Sequence, residues 1–386
     1  MGGFYNRRVN AAPSSSPSVA SDPSADALPA LIATEIRQGG GWLGFERFMA
    51  LALYAPGLGY YSGGDRPFGL LPGSGSDFVT APELSPLFGR AVARQLAQAL
   101  DATGTTELWE FGAGSGALAA QLLDALGDRI TRYTIVDLSG TLRARQRQTC
   151  AERVPQHLDK LHWADALPAR FEGVVVGNEV LDAMPVMLLH WDGTRWFERG
   201  VTLAAAGRFA WADRPTDARP PVDGPFVPGT VTELPRQGVA FIRTLAAQLA
   251  RGAAFFLDYG FPEHEYYHPQ RSGGTLMCHR GHQADADPLV DVGRKDLTAH
   301  VDFTAMALAG QDAGLEVLGY TSQARFLFNC GLLGDLEGAD LRGRAMAQKL
   351  VTEHEMGELF KVLGFVTPAD AFDPIGFAAG DRSHTL

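Results

Sequence analysis

The segment ELWEFGAGSGALAAQLL, Glu107 to Leu123, sets an acid, Glu110, two positions before three closely spaced glycines, Gly112, Gly114 and Gly116. An apolar run precedes the turn and a helix-like run follows. That is a strand-to-helix turn whose glycines allow a ligand close to the backbone. A phosphate-binding P-loop needs Lys and Ser or Thr after the last glycine, and Ala117 and Leu118 stand there instead. The dinucleotide fingerprint G-x-G-x-x-G is not matched either, since the spacing here is G-x-G-x-G. Glu110 discriminates further. At the end of a strand its charge repels a pyrophosphate and suits a cationic amino-acid ligand. S-adenosylmethionine carries such an ammonium and no phosphate. Asp137, about twenty residues beyond the last glycine and followed by Leu138, suits two ribose hydroxyls, a position that S-adenosylmethionine and NAD share. Asp165, in HWADALP, reaches for an adenine amino group or caps a helix.

A second constellation is GNEVLDAMP, where Asn178 and Glu179 end a buried strand and Asp182 follows one helical turn on. In doubly wound folds ligands bind at this edge of the sheet. Methyl transfer from a sulfonium is an in-line displacement that depends on alignment. If the acceptor is an arginine, as the family resemblance given below implies, it stays protonated, with a pKa above about 12, and carboxylates hold it in bidentate contacts. Glu179 is the candidate for that contact, with a capping role as its alternative, and Asn178 positions substrate or cofactor. DLTAHVDF adds His300 and Asp302 for proton uptake or substrate orientation. SDFVTAPELS offers Asp77 and Thr80 to close over the cofactor, although Thr80 or Glu83 equally caps the next helix. Tyr60, Tyr61, Asp258 and Tyr259 are pocket walls or core. His279 and His282 lack a third ligand, and no metal is expected.

These residues need a frame. From Glu107 the texture alternates: TELWEF, RYTIVDLS, FEGVVVGN and GAAFFLDYG read as strands, separated by GALAAQLLDALG, GTLRARQRQTCAERV and RQGVAFIRTLAAQLARG as helices. Such alternation implies right-handed crossovers and a parallel sheet. Val186 to Gly229 interrupts it, with a hairpin signal at Asp192-Gly193 and a proline-rich piece. Leu28 to Leu53 reads as two helices broken at Gly39-Gly40-Gly41. GLEVLGYTSQARFLFNCG reads as one or two strands, and RAMAQKLVTEHEMGELFKVLGF as helical. The resulting division is a tail at 1–26, a cap and loop at 27–104, and a main domain at 105–386 with an insertion at about 186–230.

The 386 residues are 46% apolar, enough for a sizeable core. A net charge of −11 argues against nucleic acid as the main partner. Cys150, Cys278 and Cys330 are odd in number and far apart, so small buried thiols and a reducing compartment are expected. No apolar run reaches the roughly 20 residues of a membrane span. The Ser- and Pro-rich N-terminus with Arg7 and Arg8 reads as a plain tail of a cytoplasmic protein, or alternatively as a transit peptide to the mitochondrial matrix.

GSDFVTAPELSPLFGR, WEFGAGSGAL, VVVGNEVLDAMPV, FFLDYG, GTLMCH, DLTAHVDFTAM and EMGELFKVLGF occur in this order. Together they resemble the MidA-like family of S-adenosylmethionine-dependent methyltransferases, from about Gly41 to about Phe365. The resemblance implies an α/β class I methyltransferase fold: a Rossmann-like, seven-stranded, mostly parallel sheet, its last strand antiparallel, with an N-terminal helical cap and a β-containing insertion. It also implies S-adenosylmethionine as cofactor and a protein substrate with an exposed arginine, since the family includes a methyltransferase of mitochondrial respiratory complex I assembly. A respiratory-complex subunit is one such partner, and an oligomer is compatible. A cofactor-binding assembly factor with little catalysis and a small-molecule methyltransferase are the competing readings. Many members carry proline and arginine in the glycine turn, where Ala113 and Ser115 stand here.

Overall fold

The computed structural model describes residues 27–63, 80–280 and 283–386. The N-terminal tail, Asp77 and His282 lie outside the described residues. The central sheet is built from β1 (Glu107–Phe111), β2 (Arg132–Val136), β3 (Leu161–Ala164), β4 (Phe171–Asn178), β5 (Leu249–Phe261), β6 (Glu316–Ser322) and β7 (Phe360–Val366). Their spatial order is β3-β2-β1-β4-β5-β7-β6, with β7 antiparallel to both neighbours. The other pairings are parallel. This is the class I methyltransferase topology.

The apolar run of β4 follows from its place inside a parallel sheet, buried on both faces. Val174 and Val176 join one core and Val175 the other. The first core is covered by α1 (Pro86–Thr103), α2 (Ala117–Leu126), α3 (Gly140–Arg153), α4 (Gln323–Asn329) and α5 (Leu341–Val351). The second is covered by α6 (Arg236–Gln248) and α7 (Phe303–Asp312). Local signals set the helix ends. Ser85 caps α1 by accepting from the Leu87 N–H, Pro86 opens it, and Gly104 closes it in the left-handed region.

A third core lies off the sheet. Helices Ala27–Gln38 and Phe45–Tyr54 pack with Val186, Leu188 and Val201 of the insertion and with Cys278 and Leu297. The insertion supplies three strands of a five-stranded antiparallel sheet, the others being Leu43–Gly44 and Val231–Leu234. Its edge pairs Leu43 with Val201 and Gly44 with Gly200, so the N-terminal segment completes it. A Cβ at Gly200 would overlap the Leu43 carbonyl oxygen. A further three-stranded sheet, Met277–Arg280, Gln283–Asp285 and Asp296–Thr298, follows β5. The three cysteines are buried and free, as their isolation implied.

Three element assignments change. ARFLFNCG is largely helix α4, because Gln323, Phe326, Leu327 and Cys330 bury at helical spacing. FKVLGFV is strand β7, buried on both faces, so its continuous apolar run has no periodicity to separate it from helix. No helix follows β4: residues 179–186 form a turn, held by Asp258 as described below.

Candidate active site

A cavity of about 820 Å³ opens at the carboxyl ends of β1, β2, β4 and β5. Four groups of residues line it. The glycine turn supplies Glu110, Gly112 and Gly114; β2 supplies Asp137 and Leu138; β4 supplies Asn178 and Glu179, with Asp182 after them. The fourth group comes from the cap, the end of β5 and the segment after it: Tyr54, Tyr61, Tyr259, Asp296 and His300. Thr80 lines the cavity as well, and its side chain makes no cap to the helix after it.

In the first half of the cavity, Glu110 is buried and accepts from the Tyr133 hydroxyl at 2.7 Å. Burial pushes its carboxyl up to about 8. A cationic ligand would restore its charge. Asp137 accepts from the Ser139 N–H at 2.8 Å and from Gln146 Nε2 at 2.7 Å. Each oxygen keeps a further lone pair for a hydroxyl. Leu138 is 81% exposed, an apolar side chain left uncovered at the cavity lip. These groups fit an adenosyl amino acid: an acid for the ammonium, an acceptor for the ribose and apolar surface for the base. The glycines do other work besides. Gly116 has φ +82°, and a Cβ there would lie 2.9 Å from the Gln146 Cα, so the third glycine serves α2–α3 packing and does not line the cavity. Gly112 has φ +66°, and a Cβ would meet Val180 at 3.0 Å.

In the second half, Glu179 adopts φ +54°, rare for a non-glycine residue. Such strain costs about 1–3 kcal/mol and persists only where the surroundings impose it. They do. The Glu179 N–H donates to the Leu257 carbonyl at 2.9 Å. One oxygen of Asp258 accepts from the N–H groups of Val180, Leu181 and Asp182 at 3.1, 2.8 and 3.2 Å. Glu179 Oε1 accepts from Asn178 Nδ2 at 2.9 Å, and burial, reinforced by Asp182, pushes its carboxyl up to about 8. Asp182 accepts from the Tyr259 hydroxyl at 2.6 Å, and burial raises it to about 6. Tyr61 donates to Asp296, both oxygens lying at 2.9 Å.

Two predicted site residues lie off the cavity, and a third lines it without the protonation expected of it. Asp302 is fully buried, caps α7 by accepting from the Ala305 N–H at 3.0 Å, and does not line the cavity. Asp165 is bound by Arg143 at 2.6 Å with its side chain 81% exposed, also off the cavity. His300 lines the cavity, but burial, then Arg271 and Lys361, lower it to about 4. It is neutral at physiological pH and a weak proton acceptor. Asp258 is fully buried and does not line the cavity, and Tyr60 packs edge-on against Tyr61.

A family model described as "Putative S-adenosyl-L-methionine-dependent methyltransferase" matches residues 91–321. A COG1565 superfamily member from Burkholderia thailandensis, solved with bound S-adenosyl-homocysteine, superposes with a TM-score of 0.90 at 53% identity, covering 94% of this chain and 97% of that one. The chain belongs to the MidA-like S-adenosylmethionine-dependent methyltransferases. Its cofactor is S-adenosylmethionine. A second COG1565 structure from the same organism gives a TM-score of 0.87 at 51% identity, over the same shares. A relative named "Protein arginine methyltransferase NDUFAF7, mitochondrial", from Danio rerio, is 26% identical over 371 residues, 85% of this chain and 84% of its own length. The Caenorhabditis elegans homologue is 26% identical over 355 residues, covering 82% and 79%. The relatives' names place them in mitochondria and give no support to a cytoplasmic location.

Sequence reasoning missed several residues of this MidA-like methyltransferase. Gln146 is fully buried, donates to Asp137 and accepts from Trp163 Nε1 at 2.8 Å. Its signal was weak, since it is one of two glutamines, with Gln148, on a helix rich in arginine. Tyr54 and Asp296 come from segments about 240 residues apart in the chain, and nothing local links them.

Proposed function

We propose that this methyltransferase transfers the methyl group of S-adenosylmethionine to a guanidinium nitrogen of an arginine in a partner protein. The observation that carries this reading is the pair Glu179 and Asp182, a half-buried and a buried carboxyl that share the cavity with Tyr54, Tyr61 and Tyr259 at the end of β4. Carboxylates offer bidentate acceptors to the planar fork of arginine, and the rings pack its flat faces. The bound cofactor supplies an electrophilic methyl on a sulfonium. The chain's task is to hold the acceptor nitrogen in line, exclude water and take one proton. Glu179 takes that proton, since its raised affinity for protons narrows the gap to the guanidinium. Asn178 fixes Glu179, and Asp182 and Asp296 hold the remaining N–H groups. Glu110, Asp137, Leu138 and Thr80 hold the cofactor, with the glycine-turn backbone close to it. The segment 27–63, backed by the insertion, walls the acceptor side with Tyr54 and Tyr61.

A respiratory-complex subunit is the first partner class to test, with the mitochondrial matrix as the compartment. The protein is incubated with a lysate and labelled S-adenosylmethionine, and modified peptides are mapped by mass spectrometry. Label on arginine nitrogen supports the reading. Label confined to small molecules overturns it, and cofactor binding without any transfer leaves a binding assembly factor.

A further inference from the structure

Five carboxylates line the cavity, Glu110, Asp137, Glu179, Asp182 and Asp296, and Arg271 is the one Arg or Lys among its described lining residues. The Arg271 guanidinium carbon lies 4.0 Å from the centroid of the Phe261 ring, and its Nε donates to the Glu265 carbonyl at 3.3 Å. Stacking and that bond fix the plane of the fork. Its two terminal nitrogens have no carboxylate partner among the described residues. A half-buried guanidinium left so is costly unless an anion meets it. Two parallel N–H donors in one plane match a carboxylate.

The position of Arg271 says whose carboxylate it is. Phe261 lies 5.2 Å from the His300 ring, which stands edge-on to Tyr259 at 5.1 Å. Tyr259 donates to Asp182. Arg271 is therefore one stack of rings from the acceptor carboxylates, on the far side of β4 from Glu110 and the glycine turn. His300 is uncharged and does not compete for an anion. In a cavity so rich in acid, an acidic substrate residue would be rejected without a cation to receive it.

We propose that Arg271 is a carboxylate-reading subsite, and that the acceptor carries an Asp or Glu within a few residues of the methylated arginine. This rests on the arginine reading above and narrows it to arginines in acidic surroundings. The methionyl carboxylate of the cofactor is a second source of the same chemistry, and the experiment separates the two.

The probes are two peptides with one central arginine, one flanked by glutamates and its twin by glutamines. Each is titrated by calorimetry into the protein saturated with S-adenosylhomocysteine, and each is assayed for methylation. The glutamate peptide binds wild type about tenfold more tightly or better, and Arg271→Gln brings the two within about twofold. Arg271→Lys keeps a charge without the fork and retains part of the preference, which separates charge from misfolding. Affinity for S-adenosylhomocysteine is unchanged in both variants. A preference that survives Arg271→Gln, or is absent from wild type, overturns the proposal, as does a failure of both peptides to bind. A tenfold loss of S-adenosylhomocysteine affinity overturns it too, assigning Arg271 to the cofactor. If the peptides bind with the expected preference and neither is methylated, the carboxylate subsite stands and the arginine-transfer reading falls.

Discussion

The Tyr259 hydroxyl donates to one oxygen of Asp182 at 2.6 Å, and the other oxygen of Asp182 is buried with no partner. The tyrosine thus commits half of the carboxylate and leaves the other half free to accept from a substrate. Tyr259→Phe releases that constraint. It is expected to lower kcat/KM about tenfold, the worth of one hydrogen bond to a charged group. Cofactor affinity stays within about twofold. Parallel losses of cofactor affinity and turnover would show instead that the bond holds the whole pocket together.

Glu179 gives the reaction its pH dependence. A base works only when deprotonated, and this carboxyl sits near 8 in the unliganded enzyme. Its ionised fraction, and with it kcat/KM, rises with pH up to about 8 and then levels. Glu179→Gln removes this limb and lowers kcat about 100-fold or more, within the usual worth of a positioned base. A variant that keeps the wild-type profile would exclude Glu179 as the proton acceptor.

Glu110 couples stability to the cofactor. Its folded-state carboxyl is raised from 4.5 to about 8, so between those values the folded state binds more protons than the unfolded one. Stability is then lost as pH rises through that window. The unliganded protein should melt lower at pH 8.5 than at pH 6, and Glu110→Gln should flatten this slope. The same variant should weaken S-adenosylmethionine binding about tenfold, since the ammonium loses its counter-charge. A melting temperature insensitive to both pH and substitution would contradict the assignment.

Gln146 is the positioning residue on the cofactor side. Replacing it with alanine strips Asp137 of one donor and strands the Trp163 N–H, at a cost of about 1–3 kcal/mol in stability. Cofactor affinity falls while kcat at saturating cofactor is retained. Calorimetry and a saturation series separate the two; a loss confined to kcat would point to the acceptor side instead.

What was legible in the sequence follows the range of the interactions. The turn at Gly112, the acid before it and the acid ending β2 are local signals within a single strand-turn-helix unit. Glu179 was legible as the first acid after the apolar run of β4. Asp296, Tyr54 and Arg271 were not, because they reach the cavity only through tertiary packing, the first two beside the third core and Arg271 by stacking on Phe261. His300 shows a different limit: its identity suggests a group titrating near neutrality, and burial among cations removes that property. Asp302 was visible as an acid beside a histidine, and its burial as the cap of α7 depends on the two-residue strand that pairs with the end of β5. The β7 segment was ambiguous because burial on both faces erases periodicity.

The edge pairing of Leu43 and Gly44 with Val201 and Gly200 makes two distant stretches of chain one inherited part. A chimera that borrows the insertion of another family member without its N-terminal helices would leave a bare sheet edge and a mismatched core against Phe45 and Phe48. Since Tyr54 and Tyr61 ride on that same N-terminal segment, transplanting acceptor choice between homologues requires both stretches to travel together.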